Sequence, residues 1–459
     1  MNKVTINGEA FFVNDGEILS DVLIKSGKSI DHPCGGMGKC KKCTVKINGK
    51  EELSCQYIIQ SDICVEIDTE NKENTADAVC ISQGESLCFV LDIGTTTLET
   101  AVVDTHTGHI IKSITRPNPQ RIFGADIMSR IDYCRKNGVD KLNRVLTDTI
   151  NEMTALLSSE KLDRLYASGN TAMLHIFFGV DCSSLGTAPY TPVFLETKTE
   201  KAQNLSLTGV NTVESLPCIS SFIGADLVAG LNFTYFPTEN KYNLLIDLGT
   251  NAEIILFSQN EIICTSAAAG PCFEGASISC GMSAANGAVY SYSEKEIKTI
   301  GNEPPKGICG TGLIDIIAFL LKAQRIDKTG LMTPDSIEIA DGISVTQADI
   351  REYQLAKSAV YSAVVTLIKR KCISFDDIEK VYISGGFSAK INTDNAVLTG
   401  LLPKELKTKC TPINNSSLLG TAKYAKEKNN LAELTKKASY LDLATDELFS
   451  ELFIENMMF

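Results

Sequence analysis

Two aspartates set the chemistry this chain offers. Asp92 closes an apolar run within F-V-L-D-I-G-T-T-T-L-E-T-A-V-V-D (residues 89–104), and Gly94, Thr95, Thr96 and Thr97 follow it. The pattern reads as a strand, a tight turn and a second strand. Gly94 permits the turn and a close backbone approach. The threonines supply amide and hydroxyl donors for an anion, and Asp92 is placed to hold a phosphate-bound Mg²⁺ through water. Taken alone, the stretch is equally a β-hairpin with a polar tip. Residues 244–257, L-L-I-D-L-G-T-N-A-E-I-I-L-F, repeat it a domain's length further on, with Asp247 followed by Gly249, Thr250 and Asn251. That offset points to a duplicated fold and not to a short solenoid repeat. Two such hairpins facing each other across a cleft would grip a nucleotide from both sides. A third stretch, V-Y-I-S-G-G-F (381–387), ends a strand in Gly385 and Gly386, as needed where backbone passes close to a ligand. No G-x-x-x-x-G-K-S/T occurs, which excludes a P-loop.

The second chemical signal is sulfur. Cys34, Cys40, Cys43 and Cys55 are spaced C-x₅-C-x₂-C-x₁₁-C, close to the plant-type ferredoxin order and one residue longer between the first two. Gly35, Gly36 and Gly38 keep the loop small enough for its amides to face cluster sulfurs. Four thiolates also suit Zn²⁺, but zinc sites favour two short knuckles, and here a tight triad precedes a lone distant cysteine. The spacing therefore predicts a 2Fe–2S cluster on these four residues. Cys64, in the strand expected at 63–67, reads as core. Of the twelve other cysteines, those in apolar runs (Cys88, Cys264, Cys372) read as small buried residues.

These groups need elements to position them. Asn7-Gly8 marks a hairpin turn between strands at 4–7 and 10–13, and a short helix over 20–25 precedes the cysteine loop. The polar residues 69–78 read as a linker, whose reach is on the order of 15–20 Å if flexible. Helices are expected from Ile127, over 142–157 and over 351–371. Gly169-Asn170-Thr171 is either a helix start that favours an anion or a plain cap. The segment 431–459 reads as helical. The glycine-rich 307–315 departs from G-x-G-x-x-G and lies outside a βαβ setting, so a dinucleotide fingerprint is weak. The chain has 459 residues, which suggests two to four domains. Its net charge of −13 argues against nucleic-acid and anionic-membrane partners. Neither a transmembrane run nor a signal peptide is visible, so a cytoplasmic location is expected.

The paired hairpins and the glycine turn resemble the acetate-and-sugar-kinase, heat-shock-chaperone and actin superfamily (ASKHA). That resemblance implies an α/β fold of two ribonuclease-H-like halves, preceded here by an α+β β-grasp ferredoxin domain. The expected boundaries are 1–68 for the ferredoxin, 69–85 for the linker, and 86–240 and 241–459 for the halves. In the superfamily two such hairpins hold the phosphates and a Gly-Gly turn holds the adenosine side. This assigns Gly94, Thr95, Thr96, Thr97, Gly249, Thr250, Asn251, Gly385 and Gly386 to the nucleotide. Asp92 and Asp247 are then the catalytic residues for Mg²⁺ and the attacking water.

The pairing of modules is more specific. It resembles the reductive activators of corrinoid proteins, over nearly the whole chain. The likeness runs through D-I-G-T-T-T from Asp92, N-P-Q…G-A-D over 118–126, G-N-T from Gly169 and I-G-A-D from Ile223. It continues in A-A-G-P-C-F-E-G from Ala268, G-I-C-G-T-G-L-I-D from Gly307, R-E-Y-Q-L-A-K from Arg351, S-G-G-F from Ser384 and Y-L-D-L-A-T-D-E-L-F from Tyr440. The resemblance implies an ATPase that passes one electron from its 2Fe–2S cluster to a corrinoid protein, converting cob(II)amide to cob(I)amide in an anaerobic methyltransferase system. It also implies an upstream low-potential donor and allows a homodimer.

A plant-type cluster sits near −400 mV. An acceptor roughly 0.1–0.2 V lower costs about 2–5 kcal/mol per electron, which is a reason to fuse an ATPase to an electron carrier. One departure stands out: only the short linker separates ferredoxin from ATPase, so a form lacking the usual middle domain is expected. The other readings are an activator of a different low-potential iron–sulfur enzyme, a small-molecule kinase, and a nucleotide-gated scaffold with a redox-sensing cluster.

Overall fold

The computed structural model describes residues 1–26, 38, 43–67, 86–235, 241–386 and 388–459. Cys34, Cys40, Gly35, Gly36, Phe387 and the expected linker lie outside them. By packing, the chain divides into two compact units, Met1–Ser215 and Leu216–Phe459.

In the first unit, β1 (Asn2–Ile6) and β2 (Glu9–Val13) form the expected hairpin. Asn7 and Gly8 both take positive φ, 46° and 89°, as a two-residue primed turn requires. With α1 (Leu19–Lys25), β3 (Thr44–Ile47), β4 (Lys50–Leu53) and β5 (Ile63–Glu66) they build a sheet of order β2-β1-β5-β3-β4. Strand alternation sends Val4, Ile6, Val45, Ile47 and Val65 inward, into one core with Leu19 and Leu23 of α1. This is the β-grasp arrangement. Cys64 falls on the opposite face of β5 and is exposed, so the expectation that it is core is corrected by the period of two.

The larger sheet of this unit contains β6 (Leu87–Ile93), β7 (Thr97–Asp104), β8 (Ile110–Pro117), β9 (Leu162–Gly169), β10 (Thr199–Lys201) and β11 (Val210–Ser215). Its order is β10-β11-β9-β6-β7-β8. Central β6 is buried on both faces, which accounts for its unbroken apolar run, whereas edge strand β8 alternates between half-buried and exposed. The helices α2 (Ile127–Asn137) and α3 (Asp140–Leu157) lie where the apolar periodicity predicts them, and α4 (Thr171–Phe177) starts at the expected Gly169-Asn170-Thr171.

The second unit begins with α5 (Ala225–Thr234), then β12 (Tyr242–Leu248), β13 (Ala252–Phe257) and β14 (Ile262–Ala267). A small sheet of β15 (Ala288–Tyr292), β16 (Ile297–Thr299) and β17 (Gly307–Ile308) leads into α6 (Gly310–Lys322). A hairpin of β18 (Ser336–Ala340) and β19 (Ile343–Thr346) precedes α7 (Gln347–Arg370). That helix starts four residues before the expected position because Thr346 and Asp349 cap each other's backbone amides. The strands β20 (Ile378–Ser384), β21 (Cys410–Pro412) and β22 (Ala438–Tyr440), with α8 (Thr393–Leu398), α9 (Ser416–Glu427), α10 (Leu431–Lys437) and α11 (Glu447–Glu455), complete the unit. The main sheet has the order β21-β20-β12-β13-β14-β22.

Matched strand for strand, the two large sheets agree. β8-β7-β6-β9-β11 in one and β14-β13-β12-β20-β21 in the other share the sequence antiparallel, antiparallel, parallel, parallel. The fold is the duplicated α/β arrangement that the repeated motif implies.

The segment 431–459 is not wholly helical. β22 pairs in parallel with the edge of β14, whose backbone groups outweigh the local preference. Beyond it, Asp446 takes both Arg370 nitrogens at 2.8 and 2.9 Å, and Gln354 Nε2 donates to the Met457 carbonyl at 2.8 Å. Lys357 donates to the Met458 carbonyl, and Phe459 stacks on Tyr353. R-E-Y-Q-L-A-K thus forms the docking face for residues 457–459, and Arg370 further along α7 anchors Asp446. Cys372, expected in a core, is exposed just past α7 in a left-handed conformation. Among the described residues, no helix is long and apolar enough to cross a membrane.

Candidate functional site

β6 carries Asp92 to its end, in register with Glu99 of β7 on one side and Ser168 of β9 on the other. β9 then turns at Gly169, where a Cβ would lie 2.8 Å from the Ile93 carbonyl oxygen. The turn after Asp92 is tighter still, since a Cβ on Gly94 would lie 2.5 Å from the Thr97 carbonyl oxygen. Four donors brace this turn. Asn118 Nδ2 reaches the Gly94 carbonyl at 2.8 Å, and the Asn118 amide reaches the Thr96 carbonyl at 2.8 Å. Arg130 Nη2 reaches the Thr95 carbonyl at 2.6 Å, and Asn170 Nδ2 the Thr95 hydroxyl at 3.1 Å.

The brace is itself built from N-P-Q…G-A-D. Asn118 caps the short turn Pro119–Ile122, accepting from Gln120 N at 3.0 Å. The fully buried Arg130 donates through Nε to the Gly124 carbonyl at 2.9 Å and through Nη1 to Gln120 Oε1 at 3.3 Å. Asp126 and Ser129 cap the start of α2, and a Cβ on Gly124 would sit 2.5 Å from Ser129 Oγ. Asn170 caps α4 at Met173 N, 2.9 Å, and joins that helix start to the Thr95 loop.

Asp247 holds the same register in the second unit, with Glu253 of β13 on one side and Ser384 of β20 on the other. Gly385 follows Ser384 as Gly169 follows Ser168. Its φ is 120° and a Cβ would run into the Leu248 carbonyl, so only glycine fits, while Gly386 faces open space. The turn Gly249, Thr250, Asn251 closes on itself, Gly249 N donating to the Asn251 carbonyl at 2.9 Å.

Its surroundings are acidic. Thr250 Oγ1 donates to Glu274 Oε2 at 2.5 Å. Burial pushes the Asp247 carboxyl up to about 6, opposed by a Ser384 hydrogen bond and reinforced by Glu274. Burial also raises Glu253 well above the usual carboxylate range, with Asp226 and Asp247 adding repulsion. A divalent cation would relieve such a cluster. Among the described residues no three ligand-type side chains gather closely enough to hold a metal by themselves. Mg²⁺ bound by one or two carboxylates together with phosphates and water needs no such group.

In the ferredoxin module, Cys43 and Cys55 are buried with their sulfurs 3.2 Å apart, and the Gly38 amide donates toward Cys55. Burial and the neighbouring Cys43 sulfur push the Cys55 thiol up, so two thiolates would coexist here only around a cation. The pair therefore fits a shared iron. Cys34 and Cys40 lie outside the described residues.

Sequence reasoning missed Arg130, Glu253 and Glu99 as neighbours of the loops. The glutamates had a signal, because D-I-G-T-T-T-L-E and D-L-G-T-N-A-E both place Glu on the returning strand. The 307–315 motif is tied into the fold by two of its residues. Gly312 packs against the Val289 carbonyl, and Asp315 accepts from Ser291 Oγ at 3.0 Å, Tyr292 N at 3.2 Å and Asn395 Nδ2 at 2.7 Å. Beside it lies a cavity of about 670 Å³ walled by Tyr292, Phe319, Lys322 and Asn392.

Three family models match the chain. The C-terminal ASKHA domain of RACo covers residues 241–459, the RACo middle region covers 87–238, and the 2Fe-2S iron-sulfur cluster binding domain covers 4–82. The segment expected as the first half, 86–240, is the one that the middle-region model matches. The corrinoid activation enzyme RamQ of Eubacterium limosum is 26% identical, with 98% of both chains covered. The Co(II) methylated amine-specific corrinoid protein reductase of Methanosarcina barkeri is 28% identical, covering 80% of this chain and 76% of that one. Among solved structures, a reductive activator for corrinoid, iron-sulfur protein superposes with a TM-score of 0.73 at 24% identity, covering 100% of this chain and 98% of that one.

Proposed function

We propose that this chain, a member of the family of reductive activators of corrinoid proteins, uses ATP to drive one electron from its ferredoxin module onto the cobalt of a corrinoid protein, Co(II) becoming Co(I). The observation that carries the reading is the doubled loop, Asp92 and Asp247 in identical register beside a serine and an obligate glycine, in a chain that also gathers buried cysteines. The ferredoxin spans 1–68, a linker 69–85, and the two halves 86–240 and 241–459.

Cys34, Cys40, Cys43 and Cys55 are the cluster ligands, and the 2Fe–2S group, when bound, supplies a single low-potential electron. Gly94 and Thr95–Thr97 bind phosphate through amides and hydroxyls, and Gly249, Thr250 and Asn251 bind it in the second unit. Asp92 and Asp247 hold Mg²⁺ and orient the attacking water. Gly385 and Gly386 take the nucleoside side. A low-potential donor reloads the module, the working form is a homodimer, and the setting is the cytoplasm of an anaerobe.

The test is anaerobic. Chain loaded with iron and sulfide, a reductant, ATP and a Co(II) corrinoid protein are mixed, and the cob(I) band and phosphate release are followed together. The band should require ATP, and Cys43→Ala or Cys55→Ala should abolish it while leaving hydrolysis. Phosphorylation of a small acid or sugar, with no effect on any corrinoid protein, would replace this reading by a kinase.

A further inference from the structure

We propose that Arg130 and Asn118 are positioning residues that set the polarity of the first phosphate loop. The inference rests on the nucleotide reading above and adds residues to it. Three consecutive carbonyls of the loop, those of Gly94, Thr95 and Thr96, are each held by a donor of this brace: Asn118 Nδ2, Arg130 Nη2 and the Asn118 amide. In a trans peptide the carbonyl and the next amide point in opposite directions. Holding those carbonyls toward the brace therefore turns the amides of Thr95, Thr96 and Thr97 the other way. Three successive amides directed to one side make an anion-binding concavity.

Arg130 can impose this because it cannot lose its charge and its planar fork is fixed at three places. Nη2 takes Thr95, Nε takes the Gly124 carbonyl and Nη1 takes Gln120, all within a fully buried setting. A lysine offers one point of charge and no fork. The second unit has a different device: its turn closes through its own Gly249–Asn251 bond and leans on Glu274. The brace is therefore special to the first loop.

The experiment uses the full chain with Arg130→Lys and, separately, Asn118→Ala, which leaves the buried guanidinium in place should the first variant fold poorly. Binding of MgATP and of adenosine is measured by calorimetry, and hydrolysis is resolved into KM and kcat. ATP affinity should fall about tenfold to a hundredfold in each variant, as for loss of a charge-assisted or buried hydrogen bond. Adenosine affinity should hold within about twofold, and KM should rise by more than kcat falls. Equal losses for ATP and adenosine would overturn the inference by revealing a general structural defect, and so would unchanged ATP binding in both variants. Failure of the unaltered chain to bind ATP would overturn the nucleotide reading and this inference together.

Discussion

The two Asp-x-Gly-Thr loops share a backbone plan and its flanking glutamate, serine and glycine, and differ in the side chains that reach them from other elements. Each aspartate ends a central strand between a glutamate and a serine, and each serine is followed by a glycine packed on the next carbonyl. Around the first loop stand a guanidinium and two asparagine amides. Around the second stand Glu274, Glu253 and Asp226. A duplicated fold repeats where side chains start from and leaves open what they are. Here hydrogen-bond donors gather at one copy and additional carboxylates at the other.

The largest expected effect breaks that asymmetry directly. Asp247→Asn should reduce Mg²⁺-dependent ATP hydrolysis by about a hundredfold or more. It should also weaken binding of Mn²⁺, used as a spectroscopic stand-in, in the presence of nucleotide. Asp92→Asn should lose hydrolysis as well but weaken Mn²⁺ binding less than Asp247→Asn does. Equal loss of Mn²⁺ in both variants would mean that the cation is shared evenly and the contrast is false.

A smaller effect tests the shared plan. Gly385→Ala must force a methyl into the Leu248 carbonyl at positive φ, and should cost about 3 kcal/mol or more in urea unfolding. Gly169→Ala meets the Ile93 carbonyl at a longer distance and should cost about half as much. A reversed order would show that the two turns are not equivalent.

The smallest effect is a shift on the pH axis. The Asp247 carboxyl titrates near 6 in the folded chain and near 3.9 when unfolded, so folding favours its protonated form. Its contribution to metal-free stability is fully present below about pH 4 and is lost as pH rises through about 6. Mg²⁺-dependent hydrolysis should rise over that same upper range, as the carboxylate forms. Glu274→Gln removes the like charge and should move the rising limb to lower pH by a few tenths of a unit. A limb that stays put would detach Glu274 from Asp247.

What the sequence made legible was local. Asn7-Gly8, the two hairpins, the strand ending at Gly385 and the starts of α2 and α4 all follow from patterns a few residues long. The Arg130 brace was not legible, because nothing near Thr95 in sequence announces a guanidinium delivered by α2. Glu274 stood within A-A-G-P-C-F-E-G, but its partner Thr250 lies in the turn after β12. β22 was misread as helix because its strand character comes from the waiting edge of β14. Cys64 was misread because one step in a strand exchanges core for solvent.

The clasp of residues 446–459 on α7 has a consequence for synthesis. The second unit cannot seat Arg370, Gln354, Lys357 or Tyr353 against their partners until those residues have left the ribosome. The first unit ends at Ser215, far earlier in the chain. At about 5–20 residues per second, the interval between the two is on the order of tens of seconds. The ferredoxin segment therefore clears the ribosome while the second unit is still being made.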